Sequence, residues 1–87
     1  MVFNKYVESI DFDEINNCFS MLSKRQWDIL KLLSFGLTRK EIADALGISV
    51  NTVVTHVSYL YYNLGVNNAH GAVGLWKLWE ELKGSEN

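Results

Sequence analysis

Apolar residues recur along this chain at helical spacing, and short polar clusters interrupt them at regular intervals. The clearest helix start is Ser23, which heads Ser-Lys-Arg-Gln. That is a capping box: the Ser23 hydroxyl accepts from the Gln26 amide, and the Gln26 side chain reaches back to the cap. Leu22 and Trp27 form the hydrophobic staple, and Trp27, Ile29, Leu30 and Leu33 continue the apolar stripe until Gly36 supplies a left-handed stop. The pattern repeats at Thr38, which heads Thr-Arg-Lys-Glu, with Leu37 and Ile42 as staple. This short helix passes through Ile42 and Ala43 to Leu46 and stops at Gly47. Ser49 then caps a helix that runs to Leu64 and ends at Gly65, with Ile48 and Val53 as staple. Asn68 caps a last helix from about Ala69 to Lys83, ending near Gly84.

The first twenty residues are less regular. Asp11 heads Asp-Phe-Asp-Glu, a third capping box, and Phe12, Ile15 and Phe19 follow at helical spacing. A short helix over about 12–20 is expected, while the segment from Phe3 to Ile10 reads equally as helical or extended. The chain is therefore expected to be all-α: an N-terminal helical extension over 1–21, a four-helix domain over 22–83 and a tail over 84–87.

Composition narrows the class. Eighty-seven residues make one domain, and 48% apolar residues suffice for a packed core. A chain of this size buries only about 60–65% of its unfolded surface, so its margin of stability is small. Cys18, the only cysteine, sits between Ile15 and Phe19 and reads as a small buried apolar residue. No signal-peptide pattern opens the chain and no apolar run spans a membrane, so a cytoplasmic protein with no membrane partner is expected. Nucleophile–base pairs, paired carboxylates and phosphate-cradling glycine loops are all missing, which argues against an enzyme. One Cys and two distant His give no zinc spacing, and no cofactor is expected.

Two helices joined by Gly47-Ile48-Ser49, both locked by staples, have the punctuation of a helix-turn-helix, which lays its second helix in the DNA major groove. The charge runs against this. The formal net charge is −2, and between Ala45 and Trp76 there is no Lys, Arg, Asp or Glu. Phosphate neutralisation by cations normally supplies most non-specific affinity. The cations gather earlier, at Lys24, Arg25, Lys31, Arg39 and Lys40, and leave room for a local basic patch.

The stretch from Leu22 to Val66 resembles the C-terminal DNA-binding domain of LuxR-type regulators. The likeness runs through Leu22-Ser23, Ile29-Leu30, Leu33, Gly36, Lys40-Glu41-Ile42-Ala43, Leu46, Ile48-Ser49, Thr52-Val53, His56, Leu64-Gly65-Val66, Asn68 and Ala72-Val73. It implies a four-helix, DNA-binding transcription regulator, usually dimeric. Three departures remove customary cations: Val54 replaces Lys, Asn63 replaces Lys or Arg, and Ala69 replaces Arg. Only about twenty residues precede the likeness. That is too few for a sensing or receiver domain, so the chain resembles the small stand-alone members.

On the helix over 50–64, Val53, Val57, Leu60 and Leu64 form the inward stripe. Asn51, Val54, Thr55, Ser58, Tyr59 and Tyr62 lie opposite. The resemblance places 54, 55 and 58 at base edges. Val54 and the Thr55 methyl suit thymine methyls, and Ser58 or Asn51 can hydrogen-bond bases. Phosphate contacts are expected from Lys24, Arg25, Thr38, Arg39, Lys40 and Thr52, with Tyr59 and Tyr62 serving either phosphate or a protein partner. The matching His56 reads as a structural hydrogen-bonding residue. Leu75, Leu78, Trp79 and Leu82 are candidate dimer contacts, with folding of the N-terminal segment over this stripe as the alternative. The expected partner is double-stranded DNA bound by a homodimer. A heterodimer with another LuxR-type regulator is the second option: a degenerate relative that binds and inhibits that regulator instead of DNA.

Overall fold

A computed structural model describes residues 12–85. Five helices follow one another: α1 (Phe12–Ser20), α2 (Lys24–Ser34), α3 (Arg39–Leu46), α4 (Val50–Leu64) and α5 (Ala69–Ser85). Among the described residues there is no strand. The segment from Phe3 to Ile10 and the cap at Asp11 lie outside the described residues.

Both central capping boxes form. The Gln26 amide donates to Ser23 Oγ (3.1 Å) and the Ser23 amide donates to Gln26 Oε1 (2.9 Å). The Glu41 amide donates to Thr38 Oγ1 (3.2 Å) and the Thr38 amide to Glu41 Oε1 (2.9 Å). Gln26 is buried, and the cap bond satisfies its side-chain oxygen there. The Gly71 amide donates to Asn68 Oδ1 at the start of α5. One boundary differs from expectation: α5 continues through Gly84 to Ser85, because Gly84 does not adopt the left-handed conformation that stops α3 and α4.

The core lies where all five helices meet. Phe19, Ile29, Leu30, Ile42, Val53, Val57, Leu60 and Ala72 are fully or almost fully shielded from water. Phe19 and Ile15 come from α1, so the N-terminal helix belongs to the same core as the rest. Phe19 stacks on Trp79 with centroids 4.7 Å apart, and Trp27 meets the edge of Trp76 at 5.8 Å. Trp79 Nε1 donates to Asn16 Oδ1 at 3.1 Å, and Lys83 Nζ lies 3.9 Å from the Trp79 ring centre.

Trp79, a candidate dimer contact from the sequence, is therefore largely taken up by the core of its own chain. It is 9% exposed and filled on both faces by its own chain. Packing α1 across α5 turns this tryptophan inward. Leu75, Leu78 and Leu82 are half-buried against the same core and keep part of their surface outside it.

Gly47 sets the angle between α3 and α4. Its φ of +68° is left-handed, and a Cβ there would meet nothing within 4 Å. Gly47→Ala therefore tests conformation without a clash. A loss of about 1–2 kcal/mol is expected, or a fall of roughly 5–10 °C in melting temperature for a domain of this size. Thermal unfolding followed by circular dichroism measures it, and Gly47→Asn should recover part of the loss.

Candidate nucleic-acid interface

The start of α4 is built from three residues. The Ile48 amide closes onto the Ala43 carbonyl at 3.1 Å behind left-handed Gly47. Ser49 caps α4 by accepting from the Thr52 amide (3.1 Å), and its hydroxyl pairs with Thr52 Oγ1 at 2.8 Å. Thr52 is exposed at this positive helix end, where an anion is favoured. Ile48 packs against the core and holds the entry angle.

Two stripes run along α4 with the same period. Val53, Val57, Leu60 and Leu64 are buried, at i, i+4, i+7 and i+11. Asn51, Thr55, Ser58 and Tyr62 repeat that spacing two residues earlier, about 200° around the helix, and all are exposed. Val54 stands beside them at 41% exposure. Packing the first stripe thus forces the second outward. Val50 was not among the expected site residues, yet it is 43% exposed and one turn before Val54, a spacing that the sequence already shows.

The polar groups on this face have defined roles. Thr55 Oγ1 donates to the Asn51 carbonyl at 3.1 Å and Ser58 Oγ donates to the Val54 carbonyl at 3.0 Å. Tyr62 is 83% exposed and Tyr59 60% exposed, while Tyr61 turns partly inward. Burial raises the Tyr61 hydroxyl pKa, and the positive charge of nearby Arg39 opposes the rise. The start of α3 and the last turn of α4 are therefore neighbours. His56 is half-buried on the flank between the stripes.

Arg39 and Lys40 are exposed at the start of α3, beside exposed Thr38, and neither forms an ion pair among the described residues. Arg25 is half-buried. Lys24 lies 3.8 Å from Asp28, an exposed i,i+4 pair of little energetic weight that partly meets its charge within the chain. At the positions where relatives usually carry cations, Val54 and Asn63 are exposed and Ala69 is half-buried.

Glu41 makes the start of α3 sensitive to pH. The Thr38 amide, and then the Thr38 hydroxyl, hold its carboxyl below the ordinary value of 4.5. A depressed folded-state pKa adds stability that is present above 4.5 and is lost as pH falls through the lowered value. In melts taken as the pH falls from 4.5 toward that lowered value, wild type should lose stability more steeply than Glu41→Gln, which keeps an acceptor oxygen without a titrating charge. Parallel slopes would refute this.

This arrangement defines a helix-turn-helix domain whose second helix buries one face in the core and leaves the other exposed. Residues 20–75 match the family described as bacterial regulatory proteins, luxR family. The chain belongs to that family, whose members are DNA-binding transcription regulators. Among curated relatives, the oxygen regulatory protein NreC of Staphylococcus aureus strains JH9 and USA300 is 37% identical over 67 residues. The match covers 75% of this chain and 31% of each relative's length. No helix among the described residues is long and apolar enough to cross a membrane.

Proposed function

We propose that this domain binds double-stranded DNA as a sequence-specific, cytoplasmic transcription regulator, with α4 in the major groove. The observation that carries this reading is the exposed face of Asn51, Val54, Thr55 and Ser58 directly behind the buried stripe, on a helix entered through a capped Gly-Ile-Ser turn. Thr38, Arg39, Lys40 and Thr52, all exposed, would hold phosphates, with Lys24 and Arg25 as further contacts. Tyr59 and Tyr62 offer hydroxyls to the backbone of the same duplex. Fluorescence anisotropy with promoter fragments from the source organism, at low salt, tests it. Saturable binding supports the reading; equal retention of all duplexes, or of none, sinks it.

Two copies would occupy two half-sites, joined through the outward parts of Leu75, Leu78 and Leu82 on α5. Light scattering on wild type and Leu78→Glu measures this, with a shift from dimer to monomer expected. A second reading rests on the exposure of Tyr59 and Tyr62 beside a face without cations. Aromatic residues of this kind favour protein interfaces, and the domain would then pair with another LuxR-type regulator and block it. Co-purification with such a regulator, in the absence of any DNA binding, would favour that alternative.

A further inference from the structure

We infer that α4 is a reader of A·T base pairs, an inference that rests on the DNA-binding reading above. Carbonyl oxygens only accept, so the 3.1 Å and 3.0 Å contacts fix the hydroxyl protons of Thr55 and Ser58 on the helix backbone. What these residues turn outward is lone pairs and, on Thr55, a methyl group. Val54 adds two more methyls. Asn51 is exposed and its side-chain amide has no hydrogen-bond partner among the described residues, which leaves a donor NH2 and an acceptor oxygen side by side. No Lys or Arg lies between Ala45 and Trp76.

Each base presents a different pattern to this face. Guanine shows only acceptors in the major groove, O6 and N7, and normally meets Arg or Lys. Among Asn51, Val54, Thr55 and Ser58 the free donor is the Asn51 amide, so guanine leaves an acceptor unpaired at these positions. Adenine shows N7 and the N6 donors: Asn51 matches both, and the Thr55 and Ser58 oxygens accept from N6. Thymine shows the C5-methyl, which meets Val54 and the Thr55 methyl. Cytosine has a donor that suits the hydroxyl oxygens, but its guanine partner remains unmatched. Adenine–thymine steps are the pairs that satisfy the whole face.

Selection of the full chain against randomised duplexes at about 50 mM salt, followed by base replacement, tests this. The enriched site should contain an A·T run in each half. Exchanging a contacted thymine for deoxyuridine removes one methyl and nothing else, and should weaken binding roughly fourfold. Val54→Ala, an exposed change that favours the helix, should bind the thymine duplex roughly as weakly as wild type binds the deoxyuridine duplex, and should lose that sensitivity at one position. A guanine-centred site, or affinity indifferent to deoxyuridine everywhere, overturns A·T reading while DNA binding stands. A pool with no enriched duplex overturns both.

Discussion

Trp79→Ala is expected to bring the domain close to unfolding. The ring stacks on Phe19 at 4.7 Å, packs against Trp27 at 5.8 Å, donates to Asn16 and lies under Lys83. Truncating a buried tryptophan costs about 3–5 kcal/mol. A domain of this length holds only about 4–13 kcal/mol in total. Roughly a quarter or more of the stability is therefore at stake in one side chain. Urea titration followed by circular dichroism measures it. Trp79→Phe separates the causes, since it keeps an aromatic face for Phe19 and loses the bond to Asn16; a loss of about 1–2 kcal/mol is expected. If Trp79→Ala instead left stability within about 1 kcal/mol of wild type and abolished self-association, the residue would sit on an intermolecular seam and its place in the core would be wrong.

The second large effect concerns the clamp. Arg39 and Lys40 are exposed and free of ion pairs among the described residues, on a helix that begins beside the last turn of α4. A hydrogen bond to a charged group is worth about 1.5 kcal/mol at the low end, which is roughly tenfold in affinity per contact. Replacing both with alanine should weaken DNA binding by on the order of a hundredfold. It should also flatten the dependence of affinity on salt by about 0.9 for each phosphate contact removed. Because both side chains are exposed, the melting temperature should hardly move. Unchanged affinity in the double variant would place the phosphate grip elsewhere, at Thr52 and the tyrosines.

The local grammar of this fold was legible before any coordinates. Ser23 with Gln26, Thr38 with Glu41, Ser49 and the left-handed Gly47 and Gly65 are short-range chemistry, set within four residues, and each forms as expected. The two faces of α4 were legible for the same reason, since one period of 3.6 residues separates them. The orientation of α5 was not. Leu75, Trp76, Leu78, Trp79 and Leu82 spread over roughly 160° of the helix, so periodicity does not say which edge of that broad apolar face turns inward. What decides is the docking of α1, in which Phe19 and Asn16 meet a residue 60 and 63 positions away. The hydroxyl bonds of Thr55 and Ser58 were hidden too. Mid-helix Ser and Thr can point to solvent or back-bond, and only geometry distinguishes the two. Those two bonds turn a polar-looking face into one that mainly accepts.

The stretch without charge, from Ala45 to Trp76, bears on how such a protein finds its target. A genome offers about a million or more competing sites, and cationic proteins spend most of their time held on them. With so few cations to meet phosphate, the DNA-binding domain proposed above would grip random sequence weakly. It would then travel mostly by three-dimensional diffusion, leave wrong sites quickly and escape depletion by bulk chromosomal DNA. Its occupancy at a regulatory site would depend on shape and methyl contacts and would shift little when cellular ionic strength changes.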